Sequence, residues 1–579
     1  LLLGTGVKAQ NIQEGINHLY ADRFQHAEKV FNDLLAANPN NIEATYWLGQ
    51  TYFDMDVNDK ARDLYAKALT TTNNAPLILV GAAHADLTQK KVADARQKFE
   101  TAITMTRGRK GDDPVILNAI GRAIVDAQKD TTMLAYAVEK LKTAAERDDK
   151  SADIQINLGN AIRKARPGEG GGEAYTAYQK AISLNPNFPI AYFRLAKLFE
   201  GQKNWELVVE NLEKAIAIDP KFAAAHYELF FYYLLSNNQK LDKAEASLQK
   251  LIDSKTPYTD PADQYLYGQL CWVKKDFRCA VDKGESVMKA LGQAAKPKVH
   301  LLLADAYYNL PDSVNAKKYI ESYFTREKPE DLVLAYPFSL QGKILLKFPG
   351  NEQKAYESVL EGVKRDTIID NKLKELREMA LEFRKIGRRD LEAQLFSQAI
   401  ALSPKPVIQD YDGAVRGYYF SKKYSESLEV SKKLRDNWNG EIYGYEWVFN
   451  NSRVLDTVKR DSIAVPAAIA LYDFIHSKDT IKFKRQLVSA TGYLADYYAN
   501  YAHDNAKAVQ YMYKLIWTDS TNKTQLQRSI DALQNRQSAP RGNATPTQTQ
   551  GSKPAGTKPS PAVKPNSPAT KPKAVAPKK

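Results

Sequence analysis

The sequence predicts an all-α protein built as a solenoid of repeated helix pairs. Three observations predict it. Residue types recur every 34 positions: Ala27, Ala61 and Ala95; Phe31, Tyr65 and Phe99; Leu34, Ala68 and Ala102; Gly15 and Gly49. A fixed period of this length is the mark of a repeat architecture. Within a unit, the apolar residues between Ala27 and Leu34 fall at helical spacing, so a strand is ruled out. Proline closes many units, at Asn38-Pro39, Asn185-Pro186, Asp219-Pro220 and Ser403-Pro404. A helix cannot run on through such a residue, and the chain must turn into the next unit.

Each unit reads the same way in order. The first helix carries a small residue such as Gly49, which lets a second helix approach closely. The second helix carries Ala61 and Tyr65, one small and one large. The run Tyr192, Leu195, Ala196, Phe199, Val208, Leu212, Ala215, Pro220 repeats the scheme, as does Leu48, Gly49, Tyr52, Ala61, Tyr65, Ala68. This pattern resembles the tetratricopeptide repeat (TPR) family, whose unit is a helix–turn–helix of about 34 residues. Trp47 departs from it, because it abuts Leu48 and cannot fill the family's usual tryptophan slot.

The resemblance implies a right-handed superhelical solenoid of about thirteen helix pairs. The regular array is expected over 10–430, with an RPGEGGGE insertion at 166–173 forming a flexible loop. Degenerate repeats are expected over 431–536, least regular at 435–480 and ending in a polar capping helix at 525–534. A solenoid needs such a cap at its open end.

The two ends read differently. Residues 1–9 (LLLGTGVKA) look like the end of a signal peptide, with Val7 and Ala9 placed as cleavage-site residues. Export to a periplasmic or other cell-envelope location is therefore expected. Residues 537–579 carry seven Lys, Arg541, nine Pro and no acid. That composition cannot offset the entropy of ordering, so a disordered Lys/Pro-rich tail is expected.

Composition excludes several classes. Eight of the fourteen net positive charges among the 579 residues lie in the tail, so the body is only mildly basic. The tail has no aromatic residue on which a base could stack, and no nucleic-acid partner is expected. No later run is long and apolar enough to span a bilayer, which takes about 20 residues.

Two cysteines and seven histidines cannot build a Cys- or His-rich metal centre. His18 and His26 fall on different helices of the first unit. The run Asp54, Asp56, Asn58, Asp59 lacks the glycine and the distal Glu of a calcium loop. The glycines at 168–172 lack the Lys-Ser/Thr end of a phosphate loop. No catalytic set, cofactor or metal site is nominated, so the protein reads as non-enzymatic. Cys271 and Cys279 fall on the two helices of one unit, where a disulfide is possible in an oxidising compartment.

By the family resemblance, the first helices line a concave groove. Asn118, Arg122, Asn160, Arg163 and Lys197 would form a solvated basic strip there, suited to a carboxylate or acidic peptide. Phe193, Tyr227, Phe231, Tyr265 and Trp272 would form an aromatic strip. The expected function is a protein–protein scaffold of an envelope assembly, secretion or surface complex. It would hold a peptide or subunit in that groove. A chaperone-like client-binding module and a tail-tethered polyanion or cell-wall binder are the alternatives.

Overall fold

The computed structural model describes residues 11–109, 111–127, 131–235, 240–326, 334–457 and 462–538. The expected leader at 1–9 and nearly all of the expected tail lie outside the described residues. The chain divides into two compact blocks, residues 1–388 and 389–579. The division comes earlier than the 430/431 boundary read from the fading repeat.

The first block contains α1 (Ile12–Tyr20), α2 (Phe24–Ala37), α3 (Ile42–Asp54), α4 (Asn58–Thr71), α5 (Pro76–Thr88), α6 (Val92–Thr106) and α7 (Pro114–Ala127). It continues with α8 (Thr131–Arg147), α9 (Ala152–Ala165), α10 (Gly171–Leu184), α11 (Pro189–Gly201), α12 (Trp205–Ile218), α13 (Ala223–Leu235) and α14 (Leu241–Lys255). Then come α15 (Pro261–Val273), α16 (Phe277–Leu291), α17 (Pro297–Asn309), α18 (Ser313–Thr325), α19 (Tyr336–Leu345), α20 (Glu352–Arg365) and α21 (Ile369–Lys385). The second block contains α22 (Arg389–Leu402), α23 (Ile408–Phe420), α24 (Tyr424–Asn437), α25 (Ile442–Leu455), α26 (Ala464–Lys478), α27 (Lys484–Asn500), α28 (Asn505–Thr518) and α29 (Lys523–Ser538). Within each block successive helices pack against one another, and the only β feature among the described residues is an isolated bridge between Gly108 and Gly111.

Local chemistry sets the helix ends. Asn38, Asn185 and Asp219 are extended, with φ of −144°, −142° and −125°. Each precedes a proline, which disfavours helical backbone in the residue before it. The turn inside a pair closes differently. Asp22, Asp56 and Lys90 occupy equivalent repeat positions and all have φ near 60°, at 58°, 61° and 61°. This left-handed residue ends the first helix of each pair and lets the second fold back.

Close packing of the pair depends on glycine. A methyl group placed on Gly49 would lie 2.2 Å from the Tyr65 ring, and one on Gly81 would meet the same ring at 2.2 Å. Tyr65 is thus clamped between the first helices of its own pair and the next, and is fully buried. Its hydroxyl donates to the Tyr46 carbonyl at 2.6 Å and accepts from Gln50 at 2.8 Å. Gly15 faces Phe31, Gly159 faces Tyr178 and Gly413 faces Phe396 in the same manner.

Three local expectations change. The insertion loop is shorter than 166–173, because Gly171 and Gly172 form the first turn of α10. The irregular 435–480 region is mostly regular helix, α25 and α26. The capping helix is longer than 525–534: α29 spans Lys523–Ser538 and packs Ile530 and Leu533 in a cluster with Ala508 and Met512. Cys271 and Cys279 are joined in a disulfide between α15 and α16, with Cα atoms 5.7 Å apart.

Gly49→Val should force the Tyr65 ring out of its slot. We expect a loss of about 2–3 kcal/mol, the upper range for overpacking, read as a lower urea midpoint of the full chain. Val57→Ala, on the turn between α3 and α4, should change it by less than about 1 kcal/mol.

Candidate protein-binding site

The basic strip expected along the inner helices of the first block is paired within the protein. On α7, the Arg122 guanidinium is 7% exposed. It donates to both Asp153 oxygens at 3.0 and 2.9 Å and to the Tyr20 hydroxyl, and Tyr20 donates in turn to Asp153. Its planar head also lies 4.4 Å from the centre of the Trp47 ring. Asn118 donates to Asp153 at 2.6 Å, and Asn157 donates to Asn118 at 2.9 Å. Burial works against the Arg122 charge, yet Asp153 holds its pKa above the usual arginine value.

The other members are similarly engaged. Asn160 accepts from the Tyr178 hydroxyl at 2.8 Å, and Arg163 donates to the Lys197 carbonyl at 2.9 Å. Lys197 pairs with Glu228 at 3.0 Å and with Glu200. The strip is therefore not a row of solvated cations: Arg122 and Lys197 are each paired with carboxylates of this chain, and Arg163 is tied to a backbone carbonyl. The cause is long-range. Asp153, Glu228 and Tyr20 sit on other helices, and the 34-residue register alone cannot place them.

Part of the pairing comes from the N-terminal turn. Tyr20–Arg23, at the turn from α1 into α2, touches Asp153 on α9, Phe188 before α11, Asp219 after α12 and Ala224 on α13. Behind it is a cavity of about 250 Å³ lined by Asp22, Asp54, Asp126 and Arg194 among others. Protein around the cavity takes away part of their hydration, although all three stay exposed along its wall. That loss of solvation raises Asp22 to about 6 and pushes Asp54 and Asp126 upward. Asp126 and Asp22 repel Asp54 further. His18 and His26 lie on different helices as expected, α1 and α2, with ring centroids 5.1 Å from each other. Burial and the Arg23 charge lower His18 to about 4.

The aromatic strip divides. Phe193 packs on Phe222, with centroids 5.7 Å apart, and Tyr265 is 9% exposed beneath the Lys298 ammonium. Trp272 packs on Phe277. Tyr227 is 39% exposed and meets Phe231 edge to face at 4.9 Å.

Phe231 opens onto a groove of about 380 Å³ formed by α11, α12 and α13. Ala196, Val208 and Leu212 make an apolar floor, with Trp205, Tyr232 and Leu235 beside it. Trp205 is 46% exposed and Leu235 72% exposed. Lys197, Glu200 and Glu228 form the polar rim, two carboxylates to one ammonium. The sequence reading placed Lys197 and Phe231 here but missed Trp205, Tyr232 and Leu235. Their signal was present: large apolar side chains at helix ends, where a repeat normally turns polar.

Among the described residues no group of three or more His, Cys, Asp or Glu could hold a metal ion, and no helix is long and apolar enough to cross a membrane. The fold and groove define a helical-repeat scaffold for protein–protein interaction. Residues 12–76 match the family model described as tetratricopeptide repeat.

Over 103 residues it is 30% identical to the small glutamine-rich tetratricopeptide repeat-containing protein 2 of Mycosarcoma maydis. That match takes in 18% of this chain and spans 27% of the relative's length. Among solved structures, the C-terminal part of a TPR repeat-containing protein from Cytophaga hutchinsonii is 23% identical, covering 46% of this chain and 99% of that one, with a TM-score of 0.28. Human IFIT1, in a dimer with m7Gppp-AAAA, is 13% identical, covering 73% and 99%, with a TM-score of 0.41.

Arg122→Met would leave Asp153 without its cation. Breaking a buried pair from one side costs about 3 kcal/mol or more, and urea unfolding of the full chain should show it. Arg163→Met loses a single hydrogen bond and should cost only about 1 kcal/mol.

His18 also sets an acid dependence. Its folded pKa, about 4, lies below the ordinary 6.5, so its contribution is fully present above 6.5 and is lost as pH falls toward 4. The melting temperature of wild type relative to His18→Asn should therefore fall steadily over that window. Taking the difference removes the opposing trend from Asp22.

Proposed function

We propose that this protein is a non-enzymatic scaffold of a cell-envelope complex. It docks an apolar segment of a partner subunit in the groove between α11, α12 and α13. The observation that carries the reading is the exposure of Trp205 and Leu235 beside an open apolar floor. Large apolar side chains left in water next to a groove mark interaction sites, and aromatic anchors supply most of the energy in such interfaces.

The rim refines the partner's chemistry. With two carboxylates to one ammonium, it favours a segment whose apolar side chains are followed by Lys or Arg. This replaces the acidic peptide expected from the sequence. The envelope setting is supported by the cleavage-like residues Val7 and Ala9 and by the Cys271–Cys279 bond, which suits an oxidising compartment.

The test is affinity capture from envelope fractions with the full chain and with a Trp205→Ala/Leu235→Glu variant. One stoichiometric partner is expected. The variant should weaken its binding about tenfold or more, since loss of one aromatic anchor costs about 2 kcal/mol. Its circular dichroism and melting should be nearly unchanged. Many weakly held unfolded clients would instead indicate a chaperone-like module. Loss of capture on reversing Lys564 and Lys571, with the groove variant binding normally, would indicate a tail-tethered binder.

A further inference from the structure

The first block holds contacts that a plain repeat array does not make. Repeats ordinarily touch only their neighbours, yet the turn between α1 and α2 reaches residues far along the chain. Arg23 grips the Asp219 carboxylate with both terminal nitrogens, at 3.0 and 3.4 Å, and donates to the Lys221 carbonyl at 3.1 Å. The Ala224 amide donates to the Ala21 carbonyl at 3.3 Å. His26 Nε2 lies 3.0 Å from the Thr256 carbonyl, and its ring meets Tyr258 edge-on at 4.8 Å. Ala21 is fully buried, and its apolar neighbours belong to the core of the middle repeats.

We infer that Tyr20–Arg23 is an intramolecular latch that closes the inner face of the first block, so that the strip around Asn118, Arg122 and Asp153 reaches an outside polypeptide only when the latch lifts. Tyr20 occupies the hydrogen-bonding positions of Arg122 and Asp153 that an outside segment would need. Beneath the latch, Asp22, Asp54 and Asp126 line one cavity together with Arg122 and Arg194. The Arg23–Asp219 pair and the seating of Ala21 oppose opening.

The test measures access. Cys271 and Cys279 are bonded, so an introduced thiol is the reactive one. Asn157→Cys places it on the cavity wall, at a position 6% exposed, and Lys67→Cys gives an exposed reference. The reagent is a polyethylene-glycol maleimide far larger than the cavity. In the otherwise native chain, Asn157→Cys should label much more slowly than Lys67→Cys. Adding Arg23→Asp should speed it about tenfold or more, the effect of losing a charge-assisted pair. Adding Asp219→Arg as well should slow it again by restoring an opposite pair. Equal rates at the two thiols in the native background would overturn the latch. So would an unchanged rate after Arg23→Asp. If Arg23→Asp lowers the helicity of the chain, Arg23→Gln makes the same comparison without reversing the charge.

Discussion

The first block depends on a ring pressed against a helix that has no side chain at that point. Tyr65 lies between Gly49 and Gly81 with no room for even a methyl group on either. Phe31 on Gly15 and Tyr178 on Gly159 repeat the contact. Such a contact fixes the distance between two helices and the position of one along the other. Because dense interiors tolerate neither voids nor overlap, copying this contact along the chain copies the geometry of the pair. The recurrence of residue types is the sequence record of that copying.

A second consequence concerns charge. Stacking first helices side by side brings their polar residues face to face in a shared, poorly solvated space. There Arg122 must find Asp153, and Lys197 must find Glu228 and Glu200. The surface that looked richest in cations therefore spends two of its three, Arg122 and Lys197, on carboxylates of its own chain. What is left for a partner lies at the edge, where Trp205, Tyr232 and Leu235 surround an apolar floor.

The sequence made the helix pairs legible because their rules are local. The Asn38-Pro39 and Asn185-Pro186 junctions, the Gly15 and Gly49 positions and the helical spacing after Ala27 all act within one unit. The left-handed turn residues were less visible, since Asp22, Asp56 and Lys90 share a backbone angle but not a residue type that announces it. The site was mostly illegible. Arg122 was recognisable as an inward residue, but its partners are Asp153 on α9 and Tyr20 on α1. Trp47, noted only as a departure from the repeat, is the surface on which Arg122 rests. Pairings of that kind follow from the way successive repeats rotate, which no single unit encodes.

The reach from Arg23 to Asp219 spans 196 residues, and it has a cost in time. Repeat arrays gain most of their contacts locally and can assemble as they are made. This contact cannot form until the repeats between its two sides exist. At about 5–20 residues per second of synthesis, that wait is roughly ten to forty seconds. During it the first repeat carries Ala21, Tyr20 and Arg23 without the surface that receives them. The ribosome-bound chain therefore passes through a half-built stage in which α1 and α2 are made but the turn between them still lacks its partners.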